Sequence, residues 1–261
     1  ALGVEIIHLA TLIHDDVIDC SRRRRSQPTL HHLQGAVPAL LYGDLLFTRG
    51  VSKVNSLGSP HLTDLLLKTV HSLCSGEILE TRERGQPDWT EETYWEIIRL
   101  KTAALFQYSC RAPGILAGLP KEKIEVLGEL GLNLGISFQI ADDCLDFISS
   151  GLRSGKDRFA DLRNGVPNLP LLLASRRPEF KELFARLAAD NVSPATLKKI
   201  GETIGRSDLI DAALRRSRRR LDECRRLAGI INDWGNIASG DFIDRYIMEQ
   251  LEMIDSIGAG N

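Results

Sequence analysis

The sequence predicts an all-α protein, a single-domain helical bundle around a deep central cavity, on three observations. Apolar residues recur at spacings of three and four rather than two over most of the chain. Pro28, Pro60, Pro87, Pro113, Pro120 and Pro178 fall at or outside the ends of these periodic stretches, where a missing N–H does least harm. No stretch alternates convincingly over five residues, as a half-buried strand would.

The first helix is expected over residues 1–18, opening inside an amphipathic pattern without a Ser, Thr or Asp cap and carrying Leu9, Leu12 and Ile13. Helices follow near 37–57, 60–82 and 90–112, the last beginning at the capped start Thr90-Glu91-Glu92-Thr93. Residues 120–149 carry the pattern Leu132, Leu134, Ile136, Phe138, Ile140. The stretch from Gly151 to Pro170, rich in Gly and charge, reads as a loop suited to act as a lid. Further helices are expected near 178–189, 194–204, 207–230 and 240–257. In 207–230 the arginines at 215, 216, 218, 219, 220, 225 and 226 alternate with Leu214, Leu221 and Leu227, which describes the solvent face of an amphipathic helix.

At 261 residues the chain can bury a sizeable core, and no composition break divides it. A formal net charge of −2 offers no global attraction for nucleic acid or for an anionic membrane. No apolar run approaches the length of a membrane span, and the first residues are not a signal peptide. Five scattered cysteines without C-x-x-C spacing suit a reducing compartment, so a cytoplasmic location is expected. There is no P-loop, dinucleotide fingerprint, G-x-S-x-G turn or zinc-type histidine spacing.

Chemistry concentrates in two acidic motifs. Asp15-Asp16-Val17-Ile18-Asp19 ends the first helix, and Asp142-Asp143-Cys144-Leu145-Asp146 repeats the pattern 127 residues later. Asp15 and Asp19 stand one turn apart on one helix face. Carboxylates packed so closely repel unless cations neutralise them, and an all-oxygen donor set favours Mg²⁺ over zinc. Both motifs lie in apolar sequence, where unpartnered acids are costly, so two facing helices gripping a phosphate-bearing substrate are expected. Arg22 to Arg25 follow the first motif, well placed to hold such an anion from the other side. Gln139 shares a face with Asp143 and Asp146. Lys101-Thr102 interrupts an apolar helix; on its own residues the lysine is as readily a snorkelling surface group as a ligand.

In combination these residues resemble the trans-polyprenyl diphosphate synthases, enzymes of the isoprenoid synthase fold that join isopentenyl diphosphate head-to-tail to an allylic diphosphate. The resemblance rests on Ile13-His14-Asp15-Asp16, Arg24-Arg25, Pro28-Thr29, Lys101-Thr102, Phe138-Gln139 and the second motif. It continues through Gly155-Lys156, Asp161-Leu162, Gly165 and Leu169-Pro170. It implies Mg²⁺ held by Asp15, Asp16, Asp19, Asp142, Asp143 and Asp146, with Asp15, Asp16, Asp19, Lys101, Thr102 and Asp142 catalytic. It implies substrate contacts from Arg24, Arg25, Lys101, Gln139 and Lys156, and a likeness to long-chain members at Gly76-Glu77. Small residues at Ala10 and Thr11, below the first motif, are expected to leave the cavity floor open for a product used in quinone side chains.

Three departures from the family pattern stand out: Ser26 for a glycine, Val166 for the lysine of a second Gly-Lys pair, and Asn168 for a threonine. The family's upstream Gly-Lys and Arg segment has no counterpart in residues 1–261. A homodimer is expected, with two alternatives: a partner-dependent or non-catalytic subunit of a heteromeric synthase, and a class I terpene cyclase. The second motif, Asp-Asp-x-x-Asp rather than an Asn/Ser/Glu pattern, argues against the cyclase.

Overall fold

The computed structural model describes residues 1–24, 27–86, 90–148, 159–181, 193–235 and 240–259. Over these the protein is helical apart from a hairpin in which Arg23–Arg24 pairs antiparallel with Gln27–Pro28. The helices are α1 (Leu2–Ile18), α2 (Leu30–Gln34), α3 (Ala36–Asn55), α4 (Pro60–Glu83), α5 (Glu91–Ile98), α6 (Ala104–Leu116) and α7 (Lys121–Ile148). After them come α8 (Ala160–Asn164), α9 (Leu169–Ser175), α10 (Pro194–Gly205), α11 (Asp208–Asn232) and α12 (Gly240–Ala259). The side chains of Ser59, Thr90, Asn168, Ser193 and Ser207 each accept a backbone N–H at a helix start, satisfying donors that the first turn leaves unpaired.

The bundle is built around α7, which packs on α6, α9, α10, α11 and α12. Its buried residues include Leu130, Leu134, Ile140, Ala141, Cys144 and Phe147. Phe147, fully buried, contributes on the order of 1.5–3 kcal/mol by its removal from water. A second, smaller core of Ile7, Val54, Leu62, Leu66 and Tyr108 joins α1, α3, α4 and α6. There Ile7 and His14 of α1 lie against Gly50 and Gly43 of α3.

Residues 90–112 do not form one regular helix, because Arg99–Ala103 forms a π-helical turn between α5 and α6. Two glycines explain how that wider turn is held. A Cβ on Gly76 of α4 would stand 2.6 Å from the Lys101 nitrogen, and one on Gly135 of α7 would stand 2.6 Å from the Ala103 Cα. Backbone therefore presses on backbone from both sides. Such turns recur at functional sites because they redirect neighbouring side chains.

Other expectations are corrected. Pro113 lies inside α6, one turn before its end. The stretch 151–170 is not all loop: α8 and the start of α9 fall within it, while residues 151–158 lie outside the described residues. Of the helix expected near 178–189, a 3₁₀ turn at Pro178–Phe180 is seen, and residues 182–189 lie outside the described residues, as does Pro87. The arginine face of α11 is only partly solvated. Arg216 pairs with Glu91 of α5, and Arg220 reaches Asn133 of α7 and lies over Trp95.

Candidate active site

The first motif ends α1 and the second lies in the last turns of α7, so helix geometry decides which carboxylates each presents. Asp15 and Asp19 are half-buried on the same face of α1, while Asp16 points aside and is 7% exposed. Arg24, on the hairpin that follows, donates its Nε to Asp16 Oδ1 at 2.9 Å. Arg24 is thereby held against the first motif. Arg25 and Lys156, the other expected substrate contacts in loops, lie outside the described residues.

Lys101, on the π turn, bonds Glu77 Oε2 and Glu80 Oε1 of α4, each at 2.7 Å. Burial pulls its pKa down, but Glu80, Glu77 and Asp15 outweigh that and hold it above the ordinary lysine range. It stays charged at any physiological pH. Burial pushes the Asp15 carboxyl up to about 7; Lys101 opposes this, whereas Glu77 and Asp19 add to it. Burial likewise raises Glu80.

The second motif is arranged differently. Asp142 is exposed and Asp146 half-buried, but Asp143 is 4% exposed and enclosed by donors. Tyr94 OH donates to its Oδ2 at 2.8 Å, the Leu169 N–H to the same oxygen at 3.1 Å, and Gln139 Nε2 to its Oδ1 at 2.9 Å. Gln139 Oε1 in turn accepts from Thr102 Oγ1 at 2.7 Å. A chain of hydrogen bonds therefore runs from Thr102 on the π turn through α7 to the first residue of α9. Near it, the Asp161 N–H donates to Asp146 Oδ2 at 3.3 Å, and Asn168 Nδ2 donates to Asp161 Oδ2 at 3.3 Å.

Of the residues expected among the metal ligands, Asp16 is paired with Arg24 and Asp19 with Arg84, Asp146 accepts the Asp161 N–H, and Asp143 alone is enclosed by three donors. Four residues that the sequence reading did not place in the site belong to its surroundings: Tyr94, Glu80, Arg84, and Glu77, noted only within Gly76-Glu77. Glu77, Glu80 and Arg84 stand at i, i+3 and i+7, a one-face spacing visible in the sequence.

Ala10 and Thr11 separate in the structure. Ala10 is fully buried on the stripe of Gly3, Ile7 and His14 that faces α3. Thr11 is half-buried, one turn below Asp15 on its face, with Oγ1 donating to the His8 carbonyl at 2.8 Å. A cavity of about 120 Å³ lined by Leu2, Val4, Val54, Leu62, Tyr108 and Leu116 lies at the opposite end of α1 from the motif.

The donor set suits a hard divalent cation: Asp15 and Asp19 are oxygen donors one turn apart, and burial, with Glu77 and Asp19 adding to it, raises the Asp15 carboxyl to about 7, a cost that a bound cation would relieve. Among the described residues no group of three or more His, Cys, Asp or Glu side chains is placed to hold a metal ion by itself. Magnesium typically binds through one or two carboxylates and completes its shell with water and substrate phosphate oxygens. No described helix is long and apolar enough to cross a membrane.

Comparison with known proteins places these features. The chain is 40% identical over 171 residues to the octaprenyl diphosphate synthase of Escherichia coli, a match that covers 66% of this chain and 53% of that one. It thus spans about half the length of that curated relative. It is 35% identical over 223 residues to heptaprenyl diphosphate synthase component 2 of Geobacillus stearothermophilus, covering 85% of this chain and 69% of the relative. The fold matches the crystal structure of a Caulobacter crescentus polyprenyl synthase complexed with calcium and isoprenyl diphosphate, at TM-score 0.85 and 31% identity over 99% of this chain and 76% of that one. The polyprenyl synthetase family model matches residues 1–204, and the chain belongs to that family.

Proposed function

We propose that this protein is a Mg²⁺-dependent trans-polyprenyl diphosphate synthase, joining isopentenyl diphosphate head-to-tail to an allylic diphosphate. The observation that carries this reading is the meeting of Asp15, Asp19 and the Lys101-Thr102 turn at one end of the bundle, with Gln139 of α7 hydrogen-bonded to Thr102. Magnesium, when bound, draws electron density from the allylic diphosphate and makes it a better leaving group. Asp15, Asp19, Asp142 and Asp146 would hold it, with Asp16 beside them on Arg24, and Asp143, enclosed by its three donors, would position its neighbours.

Lys101 and Arg24 neutralise charge developing on the departing diphosphate, and Arg25 and Lys156 are assigned the same task. Thr102 donates its proton to Gln139, leaving its oxygen lone pairs for the electron-poor carbon. Apolar walls below Asp15 shield the allylic cation from water until the alkene attacks. No side chain serves as an obvious base; the departing diphosphate takes the proton.

The product is assigned as long-chain, with Thr11 rather than Ala10 at the upper wall of the cavity. We take residues 1–261 as one domain, since Leu221, Leu227 and Ile231 of α11, beyond the family match, belong to the main core. An apolar face on α2 and α3, with Leu33, Val37, Leu41 and Leu45 between 44% and 68% exposed, is assigned to a second copy of the chain. Five cysteines without disulfides support a reducing compartment such as the cytoplasm.

The test supplies farnesyl diphosphate, labelled isopentenyl diphosphate and Mg²⁺ to the full-length protein and separates extracted products by length. Products beyond twenty carbons are expected; no elongation from folded protein overturns the activity. One observation favours a second reading, partner-dependent activity: the Geobacillus relative is itself a component of its synthase. Activity that appears only after a second polypeptide is added distinguishes it.

A further inference from the structure

Arg84 is a cation in this site that the proposed chemistry does not use. It is the C-cap of α4, where the chain leaves the helix at φ −59° and ψ 123°. Its Nη2 donates to Asp19 Oδ1 at 2.8 Å and lies 3.6 Å from Glu80 Oε1. The segment is anchored just beyond it, because the Gly85 N–H donates to the Gly165 carbonyl at 2.9 Å and the two glycines approach too closely for a side chain on Gly165. The guanidinium is thus set at a fixed edge of the first motif.

Its hydrogen bonding is incomplete. Arg84 Nε is buried from solvent and has no hydrogen-bond partner among the described residues. A clamp tying α4 to α1 accounts for the contact with Asp19 but leaves a buried charged donor unsatisfied, which is costly. The side chain keeps 21% of its surface exposed, so an anion beside Asp19 can meet the guanidinium from the solvent side. The turn against which Arg84 is anchored continues into Val166, which carries no charge, so the cation on this edge comes from α4.

We infer that Arg84 is a further substrate-binding residue, holding the diphosphate at the first acidic motif through its guanidinium. This rests on the function proposed above. A diphosphate bridged by a cation to Asp19 lies within reach of a guanidinium already touching that carboxylate, and the planar fork of arginine suits two oxygens at once. Before substrate arrives the same group neutralises Asp19.

The test is calorimetric titration of the full-length protein with inorganic pyrophosphate at saturating Mg²⁺, for the parent, Arg84→Gln and Arg84→Lys, with folding checked by circular dichroism. Arg84→Gln should weaken pyrophosphate binding about 10-fold or more, as loss of a charge-assisted contact does, and Arg84→Lys should recover only part of it. In turnover, KM for the allylic diphosphate should rise while that for isopentenyl diphosphate holds. If Arg84→Gln merely melts earlier and binds pyrophosphate as the parent does, Arg84 is a structural clamp and the inference fails. Should Arg84→Gln not fold, Arg84→Lys decides: parent-like affinity overturns the inference. A parent that binds no pyrophosphate with Mg²⁺ removes the proposed function itself, and this inference with it.

Discussion

The two acidic motifs share one spelling, and their middle residues meet opposite surroundings. Asp16 is paired with a cation, Arg24, whose other donors remain for an anion. Asp143 is paired with neutral donors, Tyr94, Gln139 and the Leu169 N–H, and has no room for anything else. The difference follows from where each helix leads. The first motif ends α1 and gives way to an arginine hairpin, whereas the second is packed against α5 and the N-terminus of α9, where a carboxylate also completes the unpaired first turn. Adjacent residues on a helix diverge by about 100°, so Asp15 and Asp16, like Asp142 and Asp143, meet different surroundings.

The sharpest test of this asymmetry compares outer residues with middle ones. Asp15→Ala and Asp142→Ala should each cost on the order of 10³-fold in kcat, without rescue by added Mg²⁺, as expected for removing charge stabilisation at a reacting centre. Asp143→Asn should leave the Mg²⁺ concentration for half-maximal rate unchanged. If Asp143→Asn shifts that concentration as far as Asp15→Asn does, the two motifs are equivalent and the comparison breaks.

Asp143→Ala should instead show in stability. It strands three donors, two of them fully buried, so urea unfolding should lose about 3 kcal/mol. Asp16→Ala should lose far less, because its single partner Arg24 can turn to solvent. Tyr94→Phe, which removes one neutral donor from Asp143, should cost about 1 kcal/mol.

A third test uses pH. Asp15 carries a folded pKa of about 7, above the ~3.9 of an unfolded aspartate, so the folded state retains a proton that the unfolded chain releases. The stability this contributes is fully present below about pH 4 and is lost as pH rises through about 7. Metal-free Asp15→Asn should therefore melt above the parent at pH 8 and level with it at pH 4. Mg²⁺ affinity of the parent should rise between pH 6 and 8, with proton release seen by calorimetry in buffers of different ionisation enthalpy. The smallest expected effect concerns length: Thr11→Phe should shorten the product while sparing the first condensation, whereas Ala10→Phe should lower the melting temperature by overpacking the α1–α3 contact.

The long helices were legible in the sequence because each buries one stripe over several turns. Helices α2 and α8, five residues each, and α9, seven, are too short to show a period. The start of α9 did carry a signal, Asn168 followed by Leu169-Pro170, a capping residue with proline just inside the helix. The outer aspartates and Gln139 were singled out from motif spacing, Lys101 and Thr102 from the resemblance to the family. Arg84 and Tyr94 were not, because their partners lie 65 and 49 residues away and only packing brings them together. The π turn was equally hidden: it is imposed by Gly76 and Gly135, which belong to other helices.

The Leu169 N–H that ends on Asp143 turns the folding of α9 into something a spectrometer can time. Leu169 is fully buried, so its amide exchanges with deuterated solvent only when that part of the molecule opens. Its exchange rate in the parent is a clock for the integrity of the second motif in the absence of any substrate. Because the same carboxylate holds Gln139, and Gln139 holds Thr102, a substrate that tightens Thr102 should slow a clock on the far side of α7.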